Sequence, residues 1–309
     1  MSRKKGVRRR RRQRRRRFVL ALLALTVVAL TAAWPTLFGS NRAPTAERME
    51  TSSVAASAEN SAWIERGRAR VFGDNEYGQC DTRNWDDVVA VALGDAHAVG
   101  LTADGRLMFA GDDRFGQCQL TADGAKVVAI DASAQASYAV FEDGSVRMCG
   151  NGPVEPRQLE AARDVRAIAA SDSHVVLLGR DGRARMLGGN AAMAHTVQQW
   201  TDLIAVDCGE GCTIALDAYG GVHVADTGAG QSALDGAQGA RRVAAGGNFC
   251  LIAMRDGSVL GAGSNSRGQL DAAQWTDAQA IACGYMHAVG QTADGERLFA
   301  GDETHGQRG

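Results

Sequence analysis

Apolar positions along the chain fall into two regimes. Residues 18–38 make one uncharged apolar stretch, whereas beyond residue 60 the apolar residues come in short runs broken by glycine, aspartate and other small or polar side chains. Short runs bounded in this way predict strands. Their breaks recur at a fixed spacing. Seven turn glycines, Gly67, Gly105, Gly144, Gly182, Gly220, Gly257 and Gly295, stand 38, 39, 38, 38, 37 and 38 residues apart, and five of them follow an aspartate. Asp-Gly between apolar runs is a strong hairpin signal, with positive φ expected at both central residues of a type I′ turn. Each turn therefore joins two predicted strands.

The surrounding pattern keeps the same register. Upstream lie Val88-Val89-Ala90-Val91, Val127-Val128-Ala129-Ile130, Val165-Arg166-Ala167-Ile168, Leu203-Ile204-Ala205-Val206 and Ala278-Gln279-Ala280-Ile281, each followed by a small-residue bend and a second run such as His97-Ala98-Val99-Gly100-Leu101. A third run, such as Arg106-Leu107-Met108-Phe109-Ala110, ends in a Gly-Gln loop. These loops are Gly73-Asp74-Asn75-Glu76-Tyr77-Gly78-Gln79 and its counterparts ending at Gln117, Gln269 and Gln307. A fourth short strand is expected near Trp85, Trp200 or Trp275. Units of four strands cannot bury both faces alone, so seven in series predict an all-β, seven-bladed β-propeller of about 38-residue repeats. An open solenoid would need polar caps, and none is evident. The last repeat stops at Gly309, just after its loop, so closure is expected from residues near Glu50 to Ala56 or from those after Gly78.

The stretch from Phe18 to Phe38 has the length of a membrane-crossing helix, about 20 residues for a core of roughly 30 Å. Arginines before it and Trp34 and Phe38 at its far end orient it with the N-terminus cytoplasmic. Thr31-Ala32-Ala33 would also pass as a signal-peptide cleavage site, which would make the protein secreted. Because the apolar run continues beyond Ala33, a retained signal-anchor is the expectation. The plan is a basic cytoplasmic segment (1–17), a transmembrane signal-anchor helix (18–38), a polar linker (39–60) and the propeller (61–309). It places the propeller at the cell membrane on the extracytoplasmic side.

Composition and charge sharpen this picture. The chain has 309 residues, 45% of them hydrophobic, with only 4 Pro, which excludes a disordered or collagen-like chain. Its net charge of -1 hides a separation. Twelve of the 34 Lys and Arg stand in the first 17 residues, leaving 22 against all 35 Asp and Glu in the remainder. An acidic body of this kind argues against nucleic acid as a partner.

The unit of apolar strand, small bend, His, second strand, Asp-Gly, third strand and Gly-Asp-Asn-x-x-Gly-Gln resembles the regulator of chromosome condensation repeat. It is most similar to the short bacterial form of that superfamily, which includes the propeller-type β-lactamase-inhibitory protein. The resemblance covers about residues 60–309. It is strong at Gly67, Gly105, Gly257 and Gly295 and weak in the third to fifth units, where Gly150-Asn151-Gly152-Pro153 lacks the Gln and Gly188-Gly189-Asn190 lacks the loop. A tryptophan-aspartate propeller has a longer period, about 40–45 residues. The superfamily uses one scaffold for nucleotide exchange, chromatin docking and inhibitor binding. For an extracytoplasmic domain, which meets no small GTPase, the resemblance implies protein binding through loops on one face.

The chemistry-bearing residues fit a binding module better than an enzyme. His97, His174 and His287 each stand eight residues before a turn glycine, a slot filled elsewhere by Glu59, Ala136, Cys212 and Phe249. A residue that recurs by blade is a packing feature, so these histidines are read as bonds to a neighbouring blade. No catalytic residue, metal ligand or cofactor is expected, and no small-molecule substrate. The seven cysteines are read as free thiols, with Cys208 and Cys212 the best local pair. In a meander the first-to-second and third-to-fourth connections share one face. That face gathers Asp95, Asp172, Glu210, Tyr285 and Met286 with Glu76, Tyr77, Asp112, Asp113, Arg114, Phe115, Arg267 and His305. Aromatic, Met and Arg anchors with an acidic rim fit a basic or mixed-charge protein partner, and a cell-wall ligand is the other candidate. Tyr77 and Phe115 share one loop slot and have a second reading, packing against the next blade. The remaining functional alternatives are a secreted or anchored enzyme of unrecognised type and a purely structural spacer. The topology is checked by adding protease to intact cells, which is expected to remove the propeller and spare residues 1–17. A folded domain recovered from the cytosol overturns it.

Overall fold

The computed structural model describes residues 53–228 and 230–309. The basic segment, the apolar helix expected at 18–38 and the linker up to residue 52 lie outside the described residues. Among the described residues no helix is long and apolar enough to cross a membrane.

Each repeat folds into one antiparallel sheet of three strands, and the seven sheets follow one another in sequence order. The first strands are β1 (Val54–Ala56), β4 (Val88–Leu93), β7 (Val127–Ser133), β10 (Val165–Ala170), β13 (Leu203–Cys208), β16 (Ala240–Ala245) and β19 (Ala278–Cys283). They touch in a ring, with β1 packed against both β4 and β19. The middle strands are β2 (Asn60–Glu65), β5 (His97–Thr102), β8 (Ala136–Phe141), β11 (His174–Gly179), β14 (Cys212–Asp217), β17 (Phe249–Met254) and β20 (His287–Thr292). The outer strands are β3 (Arg68–Gly73), β6 (Leu107–Gly111), β9 (Val146–Gly150), β12 (Ala184–Gly188), β15 (Val222–Asp226), β18 (Val259–Gly263) and β21 (Arg297–Gly301). This is the architecture of a seven-bladed propeller. Its apolar core lies between blades rather than within them. Tyr138, Val140 and Val146 of blade 3 pack with Val175, Leu177 and Leu187 of blade 4, and Val54 and Trp63 of blade 1 pack with Val289 of blade 7.

The ring closes without an exchanged strand. Its first sheet begins at β1, upstream of the residue 61 set by turn spacing, so residues 54–60 belong to the propeller and not to the linker. Across the closing seam, the Trp63 indole Nε1 donates to the Gly290 carbonyl at 3.1 Å, and Arg297 Nε donates to Glu65 Oε1 at 2.7 Å. The same guanidinium lies over the Trp63 and Phe72 rings, at 5.0 and 4.6 Å from their centres.

Two expectations are corrected. Among the described residues no blade has a fourth strand. After the outer strand the chain uses its backbone groups in tight turns, as in Gly78 N to Asn75 O, Asp81 N to Gly78 O and Trp85 N to Thr82 O, so no ladder remains to be made. Elsewhere the segment is a short helix, Pro156–Glu160 or Ala191–Val197, or a 3-10 turn, Gln231–Leu234 or Gln269–Gln274. A single bridge, Ser258 to Thr276, is the trace of the missing pairing. The tryptophans wedge between blades instead, and a Cβ on Gly100 or Gly290 would stand 2.7 or 3.0 Å from the ring of Trp85 or Trp275.

The second correction concerns the hairpins. In six blades only the glycine has positive φ, as at Gly105 (+87°), and its N–H donates to a carbonyl three residues back, Thr102 O. This is a type I turn followed by a left-handed glycine bulge. Among the blade hairpins both central φ are positive in blade 1 alone, at Arg66 (+53°) and Gly67 (+76°), where no Asp-Gly stands, whereas an Asp-Gly adopts that geometry between blades 2 and 3, at Asp123 (+47°) and Gly124 (+82°), with Ala125 N donating to Ala122 O at 2.8 Å. That shorter turn moves the slot of the three histidines to Asn60, not Glu59, because Asn60 pairs with Gly73 as His97 pairs with Gly111.

The glycines differ in what a side chain would meet. A Cβ at Gly144 would stand 2.9 Å from the Asp164 backbone, whereas nothing lies within 4 Å at Gly295. Gly295→Ala is expected to cost about 1 kcal/mol of backbone strain. Gly144→Ala should cost distinctly more, and comparing the two melting temperatures checks it.

Candidate functional site

Both loop sets named from the sequence emerge on one face, because a backbone hydrogen bond ties them together in six of the seven blades. Asp112 N donates to Ala96 O at 2.8 Å, and Asp74 N to Glu59 O, Ser264 N to Asn248 O and Asp302 N to Met286 O do the same in other blades. At the centre of this face the first-to-second loops of all seven blades wall a cavity of about 110 Å³, the mouth of the central channel.

The mouth is acidic. Asp95, Asp172 and Glu210 rise from its wall, and the half-buried Glu59, missed in the sequence by the one-residue shift in blade 1, stands with them. Enclosure by the wall, then the charges of Asp172, Glu59 and Glu210, push the Asp95 carboxyl up to about 6. Glu210 is also raised, by enclosure and then by Asp172. Tyr285 is 39% exposed, with its ring laid against Gly247 of the neighbouring blade, and Met286 is half-buried beside it.

Around the mouth, the Gly-Gln loops share one lock. Gln79, Gln117, Gln269 and Gln307 are buried, and each Oε1 accepts from the N–H two residues back, that of Tyr77, Phe115, Arg267 or His305, at 2.8–3.0 Å. Burial of the glutamine thus holds the loop while the side chain two residues earlier is turned out to solvent. After the outer strand of blade 5, Gly230-Gln231 places the same dipeptide, with Gln231 fully buried, inside a unit whose sequence looks degenerate.

The named residues separate into two groups. Asp112 is buried, and its carboxylate is held below the usual range, first by Arg114 and then by the remaining donors of its loop, the Arg114 backbone and Gln117. Asp113 accepts from Cys118 N and Gln119 Nε2, so it also shapes the loop. Arg114 lies over the Tyr77 ring of the preceding blade at 4.5 Å, which partly satisfies the packing reading of Tyr77 while leaving 39% of the residue exposed. Phe115 is 50% exposed and Glu76 is exposed. His305 Nε2 stands 3.6 Å from Glu59 Oε1 across the closing seam. Blades 7, 1 and 2 therefore present His305, Glu59, Tyr77, Arg114 and Phe115 as one arc. Arg267, on blade 6, is exposed next to it. The opposite face carries an aromatic that sequence reading overlooked, Tyr219, 67% exposed in the blade 5 turn.

Two known-protein comparisons bear on this geometry. Residues 88–117 and 240–269 match the family described as regulator of chromosome condensation (RCC1) repeat. Each match runs from the first residue of an inner strand to the buried glutamine of the loop lock. Blades 2 and 6 are thus similar to that repeat over these residues. No curated protein sequence matches the chain. Solved structures of similar fold include the CRINKLY ectodomain of the Arabidopsis thaliana receptor kinase ACR4, with 14% identity, TM-score 0.67 and coverage of 81% of this chain and 94% of that one. Prp20p of Saccharomyces cerevisiae has 13% identity and TM-score 0.60, with 83% of each chain covered. Human WBSCR16 has 16% identity and TM-score 0.62, covering 78% of this chain and 87% of that one.

The three histidines of this propeller are occupied in its seams. His97, His174 and His287, on middle strands, place Nε2 at 2.8–2.9 Å from Ser137, Thr213 and Ser61 of the next blade. Ser137 Oγ donates onward to Gln117 O at 2.7 Å, so His97 is the donor of its pair. Burial pushes all three rings down to about 4, so they are neutral at pH 7. Unfolding frees them to take a proton near their ordinary value of about 6.5. Their contribution to stability is whole above that pH and is lost as pH falls toward 4. His174→Gln, which keeps a partner for Thr213 and does not titrate, is expected to flatten this loss by on the order of 2–3 kcal/mol. Urea midpoints of both proteins at pH 7 and pH 4.5 measure it.

Proposed function

We propose that the chain is a membrane-tethered, extracytoplasmic binding module in which the arc of blades 7, 1 and 2 and the acidic mouth capture a protein partner with basic side chains. The single observation that carries this reading is the loop lock. Buried glutamines hold the loops alike, while the side chains they turn outward differ: Tyr77, Phe115, Arg267 and His305. Packing alone gives no reason to vary an exposed slot through aromatic, cationic and imidazole side chains, whereas recognition does. The carboxylates of Asp95, Asp172, Glu210 and Glu59 add complementarity to a cationic segment.

The fold supports the reading in general terms, since Prp20p, similar in fold, is described for its binding to Gsp1p and histones. Tethering rests on the sequence of residues 1–38 alone, an arginine-rich flank followed by an apolar span.

Tyr77→Ala, Phe115→Ala and Tyr285→Ala are each expected to weaken partner capture about tenfold or more while leaving the melting temperature within a few degrees of wild type. Capture should also fall as pH drops from 7 to 5, because Asp95 loses its charge near pH 6. Unfolding of the variants without a selective binding defect assigns these side chains to packing and overturns the reading.

A further inference from the structure

The seam slot that joins His97 to Ser137, His174 to Thr213 and His287 to Ser61 recurs between blades 5 and 6 with a different occupant. There Cys212, the first residue of β14, meets Cys250, the second residue of β17, with the sulfurs 3.0 Å apart. We infer that Cys212 and Cys250 are a disulfide-forming pair that staples blade 5 to blade 6.

Neighbouring contacts hold this seam in register on the channel side of the pair. Asp207 Oδ2 accepts from Ala245 N at 3.0 Å. The backbones of Gly209 and Gly246 approach so closely that a Cβ on Gly209 would stand 1.6 Å from the Gly246 carbonyl. Blades 5 and 6 therefore cannot slide apart at this level without losing both contacts. A disulfide bond, about 2.05 Å long, requires the two sulfurs to move about 1 Å closer. Both residues are fully buried in the apolar cluster of that seam, with Ile214, Leu216 and Ile252. Cys208, four residues before Cys212, lines the wall of the channel mouth instead.

A metal does not account for the pair. Two thiolates on one zinc, with Zn–S near 2.3 Å, stand about 3.7 Å apart. Among the described residues no group of three His, Cys, Asp or Glu could hold an ion.

The reaction is thiol–disulfide exchange with an external low-molecular-weight or protein disulfide. One thiolate attacks a sulfur of that disulfide and releases a thiol. The second thiolate then attacks the mixed disulfide, forming the Cys212–Cys250 bond and releasing the other thiol. Two electrons and both protons end on the external pair. The hydrogen bond to Cys212 and burial raise the Cys250 thiol well above its ordinary value. Exchange therefore proceeds while the seam is open, during folding or in transient opening of the ring.

The test uses the full chain, reduced and then held a few degrees below its melting temperature in a glutathione and glutathione-disulfide buffer. After alkylation and proteolysis without reductant, mass spectrometry is expected to find a Cys212–Cys250 cross-linked peptide and two fewer free thiols than the seven of the reduced chain. The oxidised protein should melt roughly 5–10 °C higher than the reduced one. Reductant should reverse that difference, Cys250→Ala should abolish it, and Cys208→Ser should leave it intact. Recovery of both cysteines alkylated, or joined only to glutathione or to other cysteines, overturns the inference. The peptide map is made on the wild-type chain, so it decides the matter even if a variant fails to fold.

Discussion

Lateral packing between blades is the constraint on which everything else in this propeller rests. A three-stranded sheet of strands three to seven residues long leaves two faces to cover, and here each face is covered by a neighbouring blade. Closing the ring is therefore a condition of stability. The closing seam is correspondingly well furnished, with the Trp63 indole on the Gly290 carbonyl, Arg297 on Glu65 and over two aromatic rings, and His287 on Ser61.

The polar groups of the seams follow one rule of position with several chemical solutions. A histidine in one blade is answered by Ser or Thr in the next in three seams, a cysteine by a cysteine in one, and apolar residues face each other between Ala136 and Val175 and between Phe249 and Ala288. In these six seams the two sides match, because an unanswered polar group there would forfeit its solvation, whereas in the slot of blade 1 Asn60 Nδ2 donates within its own blade, to Phe72 O and Asp74 O. Asp131 and Asp207 solve a related problem at the inner strands, whose free edges turn toward the channel. Asp131 accepts from Ala132 N and Ala170 N, and Asp207 from Cys208 N and Ala245 N. Enclosure, then the charge of Asp207, pushes Asp131 up to about 8, while enclosure alone raises Asp207 to about 6.

The same economy shapes the binding face. Buried side chains do the holding, and exposed ones at equivalent positions are free to differ. One mouth of the channel is acidic. Toward the other end Arg166 and Arg241, in the bulge of an inner strand, donate to Leu203 O and Ala278 O of the next blade.

The number of blades, their order, the face shared by the two loop sets and the packing role of the histidines were all legible in the sequence. They follow from a period of 38 residues and from alternation along each strand, which are local properties of the chain. The third-strand ending, the true turn type and the seam partners were not. Whether residues near Trp85 form a strand depends on whether an edge remains to pair with, and tight turns and a wedged indole remove that possibility. The displacement of the slot to Asn60 depends on one residue fewer in a single hairpin, which periodic counting absorbs without trace. Pairings such as Cys212 with Cys250 join residues 38 positions apart through the curvature of the ring, so only the assembled structure could decide them.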